Sequence, residues 1–158
     1  AILEASRSRR LVEASVVFVL AGDGPLSKEV DDAQGESLRW VGRLSSSDIS
    51  SLLQQSDLLC LPTRSEGFAT TLLEASSCGC PSVVTDVGGA RELIPNEHFG
   101  TIVNSMDSED VEQAIYSLVK NPDKLAEQSR LCRRMVENES SWDKTAALVE
   151  KVLSGTKR

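Results

Sequence analysis

Two glutamates, Glu66 and Glu74, flank a glycine in the stretch LPTRSEGFATTLLEA, residues 61–75. The stretch opens on an apolar run, passes through a turn at Gly67 and continues with helical period, so it reads as strand, turn and helix. In an open α/β sheet, ligands collect beyond the carboxyl ends of the strands, where helix N-termini present unpaired N–H groups to an anion. A loop of this kind suits phosphate. Glu66 falls in the turn and Glu74 about one and a half turns into the helix. Helical side chains lean toward the N-terminus, so both carboxylates can face one ligand. Two acceptors beside a phosphate site suit the hydroxyls of a sugar. A plainer reading stands beside this one: Glu66 favours the positive helix end, and Glu74 is a solvated surface carboxylate. Against it, Glu74 lies between Leu73 and Ala75 on a helix expected to be covered, since the strand before it is apolar on both faces.

Other segments carry less chemistry. Gly22-Asp23-Gly24-Pro25 looks like a phosphate loop but lacks the lysine of a P-loop and the third glycine of a dinucleotide fingerprint, so it reads as a strand-to-helix turn. Arg43, after an apolar run, can meet phosphate, a base or solvent. Gly88-Gly89 reads as a tight helix entry rimming the site, with Glu92 exposed on the next turn. His98 follows Pro95-Asn96-Glu97 in a turn and is rejected as base or metal ligand. Trp142 is expected to anchor the last helix as core.

The elements that must position these residues alternate. Short apolar runs at 16–21, 37–41, 57–61, 82–85 and 100–103 are separated by segments of helical period, the rhythm of βαβ units and a parallel sheet. VVFVLA and DLLCLP are apolar at nearly every position, as expected of strands covered on both faces. The fold class is α/β: a doubly wound, Rossmann-like parallel sheet in three αβα layers. Helices are expected at 48–55 behind three serines, at 69–77 closed by Gly79, and at 107–120, 123–137 and 142–153 as a tail packed on the sheet. Residues 1–14 read as one amphipathic helix with no strand before it, and 154–158 as a disordered tail. One domain is expected over 1–153.

The 158 residues, 40% of them hydrophobic, suffice to bury a core without disulfides or metal. A net charge of −7 leaves no basic surplus for a phosphate backbone, so nucleic acid is not an expected partner. Cys60, Cys78, Cys80 and Cys132 show no C-x-x-C spacing and are expected as reduced thiols in a cytoplasmic protein. No apolar run approaches the ~20 residues that span a bilayer.

The segment LPTRSEGFATTLLEASSCGCPSVVTDVGGARELI resembles the core signature of the retaining glycosyltransferases of family 4, within the GT-B fold. LAGDGPL, WVGRL, the Glu66–Glu74 pair and SSWDKTA fall in the family's order and spacing. The resemblance implies the C-terminal, donor-binding half of an enzyme that transfers a hexose from a UDP-, GDP- or ADP-sugar to a glycan or lipid-linked acceptor. It implies no cofactor and no metal, in keeping with a sequence that has no Asp-x-Asp pattern. Glu66 would hold hydroxyls of the donor sugar as the catalytic residue, and Glu74 the ribose. The backbone of Gly67, Phe68, Ala69 and Thr70 would hold the diphosphate. Gly42 and Arg43 would lie beside the base, and Leu73 with Thr70 against the ribose. Ala69 stands where the family usually has a second glycine. The family's first strand, with its arginine and lysine, and its N-terminal domain would precede Ala1. Without that strand a gap is expected in the sheet, with dimerisation through it, and the fragment alone is expected to be inactive. The full-length protein would sit in the cytoplasm, at the inner face of a membrane. Two other readings remain open: a non-catalytic nucleotide- or partner-binding module, and a sugar-nucleotide epimerase.

Overall fold

A computed structural model describes residues 1–67 and 70–155. The described elements run α1 (Ile2–Ala5), α2 (Arg9–Glu13), β1 (Phe18–Ala21), α3 (Ser27–Asp32), β2 (Leu38–Gly42), α4 (Ser46–Gln55), β3 (Leu59–Leu61), α5 (Thr70–Ser77), β4 (Ser82–Thr85), α6 (Ala90–Leu93), β5 (Thr101–Val103), α7 (Ser108–Val119), α8 (Pro122–Glu139) and α9 (Trp142–Gly155). All strand pairings are parallel, as the alternation of apolar runs and helices implies. The strands form two ladders and not one sheet. β1 pairs with β2, and β3, β4 and β5 follow in order. Among the described residues no ladder joins β1 to β3.

Side chains alternate across the strands, and β4 is packed on both faces while β1 and β2 leave alternate positions exposed. On β4 all four residues are buried. Val83 joins Leu11, Phe18, Leu38, Val111, Ile115 and Leu118 in a cluster built by β1, β2, α2 and α7, which Leu58 and Cys60 also touch. This cluster bridges the two ladders. Val84 faces the other way, into Leu72, Ala90, Leu93 and Ile94 on α5 and α6, with Val136 of α8 beside them. A third cluster, Leu53, Ala75 and Cys80, seats α4 on α5.

Helix ends follow their sequence. The Ser45 hydroxyl accepts from the Asp48 N–H to start α4, and Asn121, before Pro122, accepts from the Lys124 N–H at 3.1 Å to start α8. Three expectations need correction. The opening amphipathic segment is two short helices, broken where the Ser6 hydroxyl turns back to the Leu3 carbonyl and the Ser6 carbonyl accepts from Ser37. The last helix continues through Ser154 and Gly155. Trp142 is not core: it is 87% exposed, and α9 buries no residue. Its other apolar side chains are exposed with it, Leu148, Val149 and Leu153 being 52–69% accessible.

Candidate functional site

The segment after β3 leaves the carboxyl end of its strand and reaches α5 at Thr70. Its start is tied to β4. The Thr85 hydroxyl accepts from the Thr63 N–H at 2.9 Å and donates to the Thr63 carbonyl at 2.6 Å, which satisfies both main-chain groups of a residue just past the strand. The Thr63 hydroxyl donates to the Ser65 carbonyl at 3.3 Å. Further on, Gly88 lies against the main chain of Glu66 and Gly67. The turn carrying Gly88 is braced by Arg91, whose Nε and Nη2 donate to both Asp86 carboxylate oxygens at 2.6–3.0 Å. That hydrogen bonding, with the nearby charge, raises the Arg91 pKa further.

On α5, Leu72, Ala75 and Ser76 turn into the core, while Thr70 and Glu74 are exposed and Leu73 is half-buried. Positions 70, 73 and 74 stand three and four apart and share one helix face. Leu73 packs in part against the cluster of Leu72, Val84 and Ala90, while Thr70 and Glu74 are left exposed beside it. Glu74 is therefore not covered as its apolar neighbours suggested, because Leu72 and Ala75 carry the buried stripe. Its exposed carboxylate leans toward the helix N-terminus, as does every side chain of an α-helix. Glu66 and Gly67 are exposed as well. Phe68 and Ala69, the remaining candidates of this loop, lie outside the described residues.

Gly42 and Arg43 close β2 on the other ladder. The Gly42 carbonyl accepts from the Gly22 N–H at 2.7 Å, and the Trp40 indole donates to the Gly22 carbonyl at 2.8 Å. Arg43 Nη2 stands 3.1 Å from Asp23 Oδ1, both side chains being largely exposed. Such a pair adds little to stability, yet it points the guanidinium across the carboxyl ends of β1 and β2. The sequence-derived residues thus assemble in two groups, both at strand carboxyl ends. Gly42 and Arg43 sit with the Gly22-Asp23 turn; Glu66, Gly67, Thr70, Leu73 and Glu74 sit around α5.

The loop can offer main-chain N–H groups and a helix N-terminus to an anion, with two carboxylates for hydroxyls. Among the described residues no group of three or more His, Cys, Asp and Glu side chains is placed to hold a metal ion. His98 stands outside the loop, with Nδ1 3.4 Å from Glu127 Oε1 on the surface. Sequence reasoning missed Thr85, since a threonine ending an apolar strand carries no distinguishing neighbour. Gly88 was visible as half of a Gly-Gly pair, but its contact lies in the preceding βα unit and leaves no trace in local spacing.

The family model for glycosyl transferases group 1 matches residues 2–142. An uncharacterized glycosyltransferase of Methanocaldococcus jannaschii is 28% identical over 145 residues, covering 85% of this chain and 39% of that protein. The D-inositol 3-phosphate glycosyltransferase of Rhodococcus erythropolis is 37% identical over 98 residues, 62% of this chain and 22% of that protein. The glycogen synthase of Mycobacterium tuberculosis is 26% identical across 100% of this chain and 39% of its own length. Among solved structures, Anabaena HepE in complex with UDP superposes with a TM-score of 0.79 at 21% identity, over 96% of this chain and 46% of that one. The chain spans less than half the length of these relatives, and the α/β fold with parallel strands is common to it and the solved structure. The match over 2–142 decides the assignment: the chain belongs to the glycosyl transferases group 1 family.

Proposed function

We propose that this chain is the donor-binding, C-terminal half of a retaining family-4 glycosyltransferase, taking a nucleoside-diphosphate sugar and serving hexose transfer to a glycan or lipid-linked acceptor. The observation that carries the reading is the exposure of Thr70 and Glu74 on one face of α5, with half-buried Leu73 between them, behind the exposed Glu66–Gly67 turn at the carboxyl end of β3. The family membership supports it. So does HepE, which has been solved with UDP and with UDP-glucose, and on that ground UDP is the first nucleotide to try.

In this mechanism the diphosphate sits against the loop N–H groups and the start of α5. Charge grows on the leaving phosphate as the anomeric bond weakens, and fixed donors stabilise it without reorganising. Glu66 positions the donor sugar and is not a covalent nucleophile, while Glu74 accepts from the ribose hydroxyls. Leu73 and Thr70 line the ribose, and Gly42 with Arg43 flanks the base. The transfer needs no metal, because the helix end and the loop amides carry the charge. A companion domain supplies the acceptor site, and a further strand fits the interruption between β1 and β3; without them this chain is inactive. We place the full protein in the cytoplasm at a membrane face.

The test is isothermal titration of the chain with UDP, GDP and ADP, repeated with Glu74→Ala. A hydrogen bond to a charged group contributes about 1.5–3 kcal/mol, so the substitution should weaken the preferred nucleotide about tenfold or more. Failure of every nucleotide to bind the folded chain would refute the donor-site reading.

A further inference from the structure

The turn after β4 meets the candidate loop at one glycine. Gly88 has φ +52, and a methyl group built on its Cα would stand 2.6 Å from the Gly67 carbonyl oxygen and closer still to that of Glu66. These are main-chain atoms, which cannot swing aside as a side chain can. The Glu66 carbonyl carbon is farther from that position, at 3.0 Å, than its own oxygen. The oxygen therefore leans toward Gly88. A trans peptide is planar, with C=O and N–H opposed. The Gly67 N–H, which shares that peptide with the Glu66 carbonyl, consequently points away from Gly88.

The seat itself is held firm. The Val87 N–H donates to the Thr85 carbonyl at 2.9 Å and the Ala90 N–H to the Val87 carbonyl at 3.2 Å. The Asp86–Arg91 pair closes the turn from outside, and the Thr85 hydroxyl ties the same turn to Thr63. The turn cannot shift without breaking one of these bonds, and the start of the loop is tied to it at Thr63.

We propose that Gly88 is a positioning residue for donor binding: its bare Cα is the surface on which the Glu66 and Gly67 peptides rest, and so it sets where the loop's N–H donors aim. This rests on the donor-site reading above. Gly88 touches no ligand itself. A side chain there would lift the peptides and turn the donors off the anion, while the fold around β4 persists.

Gly79 provides the control. Its φ is +72, yet a methyl group there would meet Ser129 Oγ at 3.5 Å, an ordinary contact away from the loop. Gly79→Ala therefore incurs the left-handed backbone cost alone, and Gly88→Ala adds the crowding. Asparagine tolerates the left-handed region, so Gly88→Asn retains the crowding where alanine impairs folding.

The experiment is UDP titration of the unsubstituted chain, Gly79→Ala, Gly88→Ala and Gly88→Asn, with the Gly67 amide resonance followed in each. We expect both Gly88 variants to shift that resonance and to bind UDP about tenfold or more weakly, while Gly79→Ala does neither. Wild-type affinity in a folded Gly88 variant overturns the proposal and leaves the donor-site reading intact. No binding by the unsubstituted chain overturns the donor-site reading, and the proposal with it.

Discussion

Burial pushes the Cys60 and Cys80 thiols up to about 12, and Cys132 up to about 11, from the ordinary 9.0. The folded chain therefore holds these protons more tightly than the unfolded chain does. Their contribution to stability is intact below pH 9.0 and is lost as pH rises toward 11–12, because the unfolded thiols ionise first. Urea unfolding should show stability falling between pH 9.0 and about 11, and Cys60→Ala should flatten that fall. A slope identical in the variant would assign the loss to other groups. Unlike these buried thiols, Glu66 and Glu74 are exposed. Replacing either by alanine should move stability by no more than about 0.5 kcal/mol. Thermal unfolding curves should thus overlay those of the unsubstituted chain. Any affinity they lose then reports on the ligand and not on folding, which is what makes Glu74→Ala a clean probe.

A single hydroxyl connects two strands to the loop. Thr85 is 5% exposed and bonds both main-chain groups of Thr63. Thr85→Val keeps the volume but strands those groups, and should destabilise the chain by about 1–3 kcal/mol in urea unfolding. An unchanged midpoint would mean that water replaces the hydroxyl. Such a tie is invisible in sequence, as is the Gly88 seat, because each joins residues from different βα units. What sequence does carry is local. The five apolar runs became β1 to β5, but cover on both faces holds for β4, where all four residues are buried, and not for β1 and β2, whose positions alternate between buried and exposed and leave Val19 and Val41 39% and 43% accessible; VVFVLA is therefore not the doubly covered strand its composition suggested. The strand, glycine turn and helix were legible too, and spacing set Glu66 and Glu74 on them, whereas Thr70 and Leu73 entered only through the family resemblance. The burial of Glu74 was misread because flanking apolar residues say nothing of which way a helix faces. Trp142 was misread for a related reason: an amphipathic period states that a helix has an apolar side, and not what lies beneath it.

At the scale of the whole molecule, the interrupted ladder and the uncovered helix are two separate sources of sticky surface. The Phe18 N–H donates to the Ser37 carbonyl on the β2 side. Donors alternate along a strand in a parallel ladder, so the Val19 N–H faces away from β2, along the edge of β1 that carries no partner strand among the described residues. Unpaired strand edges recruit further strands. α9 adds exposed Trp142, Leu148, Val149 and Leu153, 52–87% accessible, on a helix with no buried residue. Removing 142–155 deletes none of the core clusters, so the shortened chain should keep its thermal midpoint. The net charge of −7 opposes association at long range, but salt screens it within about 10 Å at 0.1 M. Sedimentation equilibrium at micromolar concentration should therefore give a mass above that of one chain, and more so in salt. Shortening at 142 removes only the helical route. If the strand edges carry the association, the shortened chain still associates, and Val19→Pro, which deletes the outward donor without touching the β2 side, makes it a monomer with an unchanged circular dichroism spectrum. An unshortened chain that sediments as a cooperatively unfolding monomer would mean that the clusters bridging the two ladders already close the interruption, and that no strand need fill it.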